Sequence, residues 1–466
     1  MKRPLCSKSW LRKCAKRLRR FVRLKKKLFK SGNRYQNEHA EKYLHGLMQA
    51  PNLKRNIERM GENVVAMKYD STQHFISDSK WSPDAVYDSI IKDADKLFHG
   101  DENTCLAIDE TYFQKKGKMS VGVARQWNGR LGKVENSQVA VFASAICETA
   151  SISVGVEFYL PKEWTEDRAR CLNAKVPESR LELKTKPELA LDLIDRCLEN
   201  KLRFHWVTAD GGYGNNGKFL RAIDDRNLTF MIDIHGRQKF FIDFPTDLRP
   251  DWEKRNDPCE NKETDSYKAN SYAENLEDKD WNTVFVRDST KGEIKVEIHE
   301  QRVYLWDEKE VHPRSWRLII TRDHATKKDI KYSLTNAYEF TPKARLAYMQ
   351  RQRYWIEHSF GVMKGTCGLS DYQVRSWIGW HHHVAMVMLA NLFITQEQME
   401  SPDEYCLLSS NDIREVLQYF LPDRKVTEAE IFRQLEKRHS QRQDSIDQAY
   451  EKQKSIDGDD REKVPS

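Results

Sequence analysis

The chain reads as an α/β protein whose central sheet is interrupted by a β-rich insertion and flanked by helical segments. Three observations carry this reading. Strand-length apolar runs follow one another between 104 and 160. Helix-length and strand-length patterns alternate between 187 and 234. Five short alternating runs succeed one another between 283 and 334. At 466 residues the chain is longer than one ordinary domain, so two or three are expected.

The N-terminus, residues 1–33, is a basic arm. Residues 1–37 hold fifteen Lys and Arg and no acid, which leaves 63 basic against 71 acidic side chains in the rest. Leu11, Cys14, Leu18, Phe21 and Leu28 recur at helical spacing among the cations. Three roles fit such a helix: neutralising nucleic-acid phosphates, an organelle presequence, or a membrane-surface helix. Scarce serine counts against the second. Residues 34–100 read as helical throughout, with helices at 37–49, 53–60 and 82–97, the last capped by Ser82 and opened by Pro83. Such a segment beside a basic arm suits a DNA-binding domain, and equally a docking domain.

Strands are expected at 104–109, 120–126, 138–147 and 152–160. An amphipathic helix follows at 187–200, a strand at 203–210, a glycine turn at 211–214, a helix at 218–225 and a strand at 229–234. Three successive strands followed by helix, strand, helix and strand is the order of an RNase H-like sheet. Residues 236–340 interrupt it, first with a polar stretch to about 280 and then with strands at 283–287, 293–299, 302–306, 316–322 and 330–334. Helices return at 343–365 and 380–395. Residues 398–466 form a charged tail with a helix near 428–439 and a disordered end from about 450. No internal repeat is present.

The nine cysteines are scattered, odd in number and without a CxxC pair. That pattern argues for reduced thiols in a cytosolic compartment and against a disulfide scaffold or a zinc ribbon. No run approaches the 18 apolar residues of a membrane span.

Three acids stand where chemistry is expected. Asp109 ends the first strand, Asp210 ends a later one, and Glu357 sits on the helix at 343–365. On a wheel of about 100° per residue, Arg353, Glu357, Lys364 and Gln350 fall within a stripe about 60° wide. Three converging carboxylates can hold two hard divalent cations that clamp an in-line phosphoryl displacement, and all-oxygen ligands suit Mg²⁺. Lys118 and Arg125, with Lys115, Lys116, Arg130 and Lys133, surround the glycines after the first strand and are candidates to follow a DNA backbone. Trp355, Trp377 and Trp380 suit either base stacking or the core. His381, His382 and His383 point about 100° apart on a helix and cannot share one metal ion; one of them is expected to face DNA.

With these residues in view, the chain resembles the DDE transposases of bacterial insertion sequences, in the broad IS-four grouping and most like its IS-seven-oh-one branch. The resemblance rests on AIDETYFQKKGKMSVGVARQWNGRLGKVENSQVAVF, FYLPKEWTEDRARCLNAKVP with KTKPELA, HWVTADGGYG, and RYWIEHSFGVMKGTCGLSDYQVRSWIGWHHH, with shorter echoes at YLHGLM and HFISDSKW. It covers roughly residues 35 to 395. It implies that Asp109, Asp210 and Glu357 are a catalytic triad and metal ligands, in an RNase H-like core formed by 101–235 and 341–397, with an insertion before the glutamate. The family signature is Tyr, two residues, Arg, three residues, Glu, six residues, Lys. Arg353, Glu357 and Lys364 match it, whereas Gln350 stands where the tyrosine belongs. Gly211 stands where many relatives have an acid.

The resemblance further implies Mg²⁺ as cofactor, two ions with Mn²⁺ as a substitute. It implies double-stranded DNA as partner, both transposon ends and target, and a homodimer on paired ends. Location would be the bacterial cytoplasm, at the nucleoid, with no membrane partner. Arg353, Lys364, Gln350, Lys118 and Arg125 are the expected phosphate contacts. Two other readings stay open: a nuclease of the same fold that cuts without joining, and a catalytically silent repressor that binds transposon ends.

Overall fold

The computed structural model describes residues 8–129, 132–245, 266–289, 292–306, 312–400, 408–425 and 427–461. Residues 1–7 of the basic arm, Arg130, residues 246–265 of the polar stretch and the last five residues of the tail lie outside the described residues.

The central strand is β1 (Thr104–Gln114), eleven residues whose first half is completely buried. It reaches five residues past Asp109, so the aspartate lies mid-strand and not at a strand end. The short β2 (Ala124–Asn128) forms a hairpin with the start of β3 (Lys133–Cys147), which pairs antiparallel with β1 along its length. β4 (Ala150–Tyr159) pairs antiparallel with the far side of β3. On the other flank, β5 (Trp206–Ala209) runs parallel to β1, and a single parallel bridge from Val207 to Phe230 leads on to β6 (Met231–Ile234). The spatial order is therefore β4, β3, β1, β5, β6.

The insertion continues this sheet. β12 (Lys331–Thr335) pairs antiparallel with β6, and outward from it lie β11 (Arg314–Asp323), β10 (Gly292–Leu305), β7 (Lys239–Phe241) and β8 (Ser266–Lys268). β9 (Asn282–Ser289) pairs with β10. Two of the expected strands, 293–299 and 302–306, are one continuous strand. The insertion thus grows from the β6 edge.

Both faces of the central sheet are covered, which is why β3 and β4 are apolar in near-continuous runs. On one face Phe142 packs edge-on against Phe360, ring centroids 5.5 Å apart. On the other lies α6 (Lys186–Glu199), so close that a Cβ on Gly155 would sit 2.8 Å from a Leu193 methyl. Asp109 is the direct cross-strand partner of Phe142, so its carboxylate shares the Phe360 face.

The helices before β1 are α1 (Lys8–Leu24), α2 (Asn37–Gln49), α3 (Ile57–Asn63), α4 (Tyr69–Ser77) and α5 (Pro83–Phe98). The later ones are α7 (Gly217–Asp224), α8 (Lys343–Arg351), α9 (Tyr354–Gly365), α10 (Trp377–Met399), α11 (Ser410–Phe420) and α12 (Glu428–Arg461). α10 is buried all round, with β4 on one side and α1, α2, α4 and α5 on the other. The N-terminal helices therefore do not stand off as a separate unit. One apolar core runs from Cys14 to Leu421.

The basic arm is docked too. Cys14, Ala15, Leu18 and Val22 are buried, Phe21 meets Phe393 edge-on, and Arg17 forms an ion pair with Glu397 of α10. Its apolar stripe draws it into the core, leaving Lys13, Lys16, Arg20, Arg23, Lys26 and Lys27 on the outer face. At the other end α12 continues to Arg461, past the disorder expected from 450; Glu451, Lys452, Gln453 and Lys454 favour helix there.

Candidate active site

The expected single helix at 343–365 is two helices. Between α8 and α9 the backbone tightens to three-residue spacing, with Gln352 N–H donating to Met349, Trp355 N–H to Gln352 and Ile356 N–H to Arg353. No proline or glycine marks the break. It takes Gln350 off the Glu357 stripe. Gln350 is 1% exposed, and its amide is spent on Thr321 and on Ser333 at 2.8 Å. Gln350 is therefore a buried structural residue, not a phosphate contact.

Asp210 lies close enough to Asp109 for its charge to be felt there. Asp210 caps a one-turn helix, Gly211–Gly214, with its Oδ1 accepting from Gly212 N–H at 2.9 Å and Tyr213 N–H at 3.4 Å. A Cβ on Gly214 would lie 1.9 Å from the Asp233 carbonyl, so glycine is what lets this turn close onto β6. Burial, then the Asp210 charge, push the Asp109 carboxyl up to about 8, against the opposing pull of Arg353. The Asp210 carboxyl is raised as well, by burial and then by Glu110. Two buried carboxylates repelling one another make a locus that favours a cation.

Glu357 joins through Arg353. The guanidinium lies 2.7 Å from Glu357, 2.9 Å from Asp233 and 3.8 Å from Asp109. Arg353 is thus turned into the acids, not outward toward a phosphate as the sequence suggested. Glu357 remains about half exposed, while Asp109 and Asp233 are largely covered. Among the described residues no three metal-ligating side chains already form a compact cluster. The donor set nevertheless fits a hard divalent cation: every candidate ligand is a carboxylate oxygen, and two of the carboxyls are held in low-dielectric surroundings that raise their proton affinity.

Lys364 reaches back to β1, its ammonium donating to the Tyr112 carbonyl at 3.2 Å. Glu110, beside Asp109, is held by Lys186 at 2.7 Å and by the Tyr213 hydroxyl at 2.9 Å. Arg125 and Lys118 are exposed. Arg125 pairs across from Asn136, six positions along β3 from the residue opposite Asp109, a separation of about 20 Å. The hairpin therefore lies away from the acids, not beside them. Trp380 and Trp377 are buried core, and all three histidines of the run at 381–383 are buried, so none faces DNA.

Sequence reasoning missed Asp233 and Lys331, whose ammonium feels the charges of Asp233, Arg353 and Glu357. A third aspartate near the end of a strand within the same sheet was the available signal for Asp233.

The sheet thus brings acidic side chains from β1, the end of β5 and a covering helix to one face. The chain matches the family described as DDE superfamily endonuclease over residues 27–293, more than half of its length, and belongs to that family. The matched span includes Asp109 and Asp210 and ends before Glu357. Endonucleases of this superfamily use divalent metal ions. Among curated proteins the chain is similar to a probable transposase for insertion sequence element IS701 from Microchaete diplosiphon, at 28% identity over 196 residues, 42% of this chain and 48% of the relative. The chain thus spans about half the length of that relative. No helix among the described residues is long and apolar enough to cross a membrane.

Proposed function

We propose that the chain is a transposase that binds the terminal inverted repeats of its own element, cuts DNA strands there and joins the freed 3′-OH to target DNA. The observation that carries this reading is the approach of Asp109 and Asp210 across adjacent parallel strands, with Glu357 tied to Asp109 through Arg353. The strand order β4, β3, β1, β5, β6, with only β3 opposed to its neighbours on both sides, supports an RNase H-like core built from 101–235 and 341–397.

Asp109, Asp210 and Glu357 are the residues that would hold two Mg²⁺ ions. Such a pair supplies Lewis-acid stabilisation to the attacking and leaving oxygens of an in-line displacement. In the first step water attacks the phosphorus at the element's end, the bond to the 3′ oxygen breaks, and a 3′-OH is released. In the second that hydroxyl attacks a target phosphodiester and the target's own 3′ oxygen leaves, so one diester replaces another and no energy-rich cofactor is consumed. Arg353 balances the carboxylates between steps. Lys364 offers a point charge to a flanking phosphate. The outer face of α1 and the β2–β3 hairpin, with Lys118 and Arg125, offer cations to the DNA backbone, and two copies on paired ends would make a homodimer.

The test is incubation of the full chain with Mg²⁺ and labelled duplex carrying the inverted repeats that flank its element. Strand-transfer products are expected. Nicks without joining would leave only a nuclease. Binding without cleavage, unchanged by Asp109→Asn, would leave only a DNA-binding repressor.

A further inference from the structure

Gln350 is the position where the chain departs from its family signature, and it is buried. Its surroundings form an unbroken line of hydrogen bonds to the candidate active site. The line can be read from its charged end. Asp233 is acceptor-only when ionised, so the Ser333 hydroxyl, 2.7 Å from its Oδ1, must donate to it. Ser333 Oγ then has to accept, and the Gln350 amide nitrogen donates to it at 2.8 Å. That fixes the amide orientation, so Gln350 Oε1 faces Thr321 and takes its hydroxyl proton. At the other end Asp233 Oδ2 accepts from Arg353 Nε at 2.9 Å, and Arg353 donates onward to Glu357 Oε1 at 2.7 Å.

Every donor along this line has one acceptor, and the order of protons follows from one end. The participants come from separate elements: Thr321 from β11, Ser333 from β12, Asp233 from β6 and Gln350 from α8. Ser333 and Asp233 are direct cross-strand partners. Thr321, Ser333 and Gln350 are no more than 1% exposed, so water cannot readily substitute for a missing link.

We propose that Gln350, Ser333 and Asp233 are positioning residues that orient the Arg353 guanidinium, and through it Glu357. This rests on the reading of Asp109, Asp210 and Glu357 as the active site. With its Nε edge held by Asp233, Arg353 presents a terminal nitrogen to Glu357 and Asp109 and cannot swing away from them. The β-rich insertion thereby has a task in the chemistry, because two of its strands carry the links that fix the arginine. The glutamine at 350 is the member that reaches both of those strands from α8.

The experiment is single-turnover cleavage of labelled end duplex at saturating DNA and Mg²⁺, with DNA affinity and melting temperature read on the same samples. Asp233→Asn keeps the shape and removes the charge. It should slow cleavage about 10- to 100-fold, the usual scale for outer-shell partners, with DNA affinity within about threefold. Ser333→Ala should slow cleavage and Ser333→Thr, which restores the hydroxyl, should recover it. That contrast separates lost proton order from lost fold. Asp233→Asn combined with Arg353→Gln should be no slower than Arg353→Gln alone, because both act through one guanidinium. Wild-type rates for Asp233→Asn, equal rates for Ser333→Ala and Ser333→Thr, or multiplying defects in the double variant would each overturn the relay. If those results came with wild-type cleavage that Asp109→Asn abolishes, the functional reading would stand without it. No cleavage by the wild type would overturn both.

Discussion

Two of the clusters of titratable side chains among the described residues are built on opposite principles. Around Arg353, carboxylates from β1, β6 and α9 converge on one guanidinium, and the Asp210 charge is felt at Asp109. On α10, His381, His382 and His383 hydrogen-bond to tyrosine hydroxyls and backbone carbonyls. His382 stacks on Trp81 with ring centroids 3.7 Å apart, and its two nitrogens face the carbonyls of Ile76 at 2.8 Å and Trp81 at 2.9 Å. His383 meets the Tyr43 hydroxyl at 2.8 Å. The first cluster gathers like charge that a cation would relieve. The second uses polar rings to join the N-terminal helices to α10. The histidines are consecutive in the sequence, whereas the acids around Arg353 come from distant strands and a helix, and what distinguishes the clusters is the charge of the groups they bond.

The largest expected effect that would sharpen this contrast is at Asp109. Asp109→Asn should reduce DNA cleavage by a factor on the order of 10³ or more, measured as initial rate on labelled duplex. In metal-free buffer above about pH 8, where Asp109 is ionised, it should also raise the melting temperature by removing a like charge beside Asp210. A fall in both would break the contrast by making Asp109 structural.

The mirror experiment is His382→Leu. It strands the one buried carbonyl to which the neutral ring's single N–H donates, so denaturant unfolding should show a loss of about 1–3 kcal/mol. Cleavage measured well below the melting point should persist. A fold that tolerates the change would mean that the histidines do not hold the helices to α10.

A comparable stability loss is expected for Gln350→Tyr. Forcing a phenol into a site that is 1% exposed should cost about 1–3 kcal/mol through overpacking, read by denaturant unfolding. An unperturbed midpoint would contradict the packing described here.

Acid should loosen the helical layer before it reaches other parts. Burial holds His45 and His382 down to about 4 from an ordinary 6.5, although the two carbonyls facing His382 pull the other way. The unfolded chain takes up protons at these rings from about 6.5, while the folded chain does not until about 4. Their contribution is therefore complete above that window and is lost as pH falls through it, at up to about 1.4 kcal/mol per pH unit for each ring. Hydrogen exchange at α2, α4 and α10 between those pH values measures it.

The parts of this architecture that rest on local pattern were legible in the sequence. The helix at 37–49, the strand ending in Asp210 and the glycine turn after it follow from apolar period and turn residues alone. The strand pattern around Asp109 was visible too, although β1 runs on to Gln114 because β3 continues to pair with it. The break between α8 and α9 was not visible, because helix formers fill it and only tertiary contacts bury Gln350 and Gln352. Asp233 was hidden for a related reason. An aspartate near the end of a short strand is only a weak local mark, and its partners Ser333 and Arg353 are 100 and 120 positions away. The docking of α1 was half legible, since its apolar stripe was seen but its cations were given more weight.

The central claim is that the carboxylates around Arg353 are a divalent-cation site serving DNA cleavage. Melting temperature as a function of Mg²⁺ concentration, for the wild type and for Asp109→Asn, tests it most directly. Because a ligand that binds only the folded state stabilises it, the wild type should melt at rising temperature as Mg²⁺ increases and then saturate, while the variant stays flat. Identical curves for the two proteins would contradict the account.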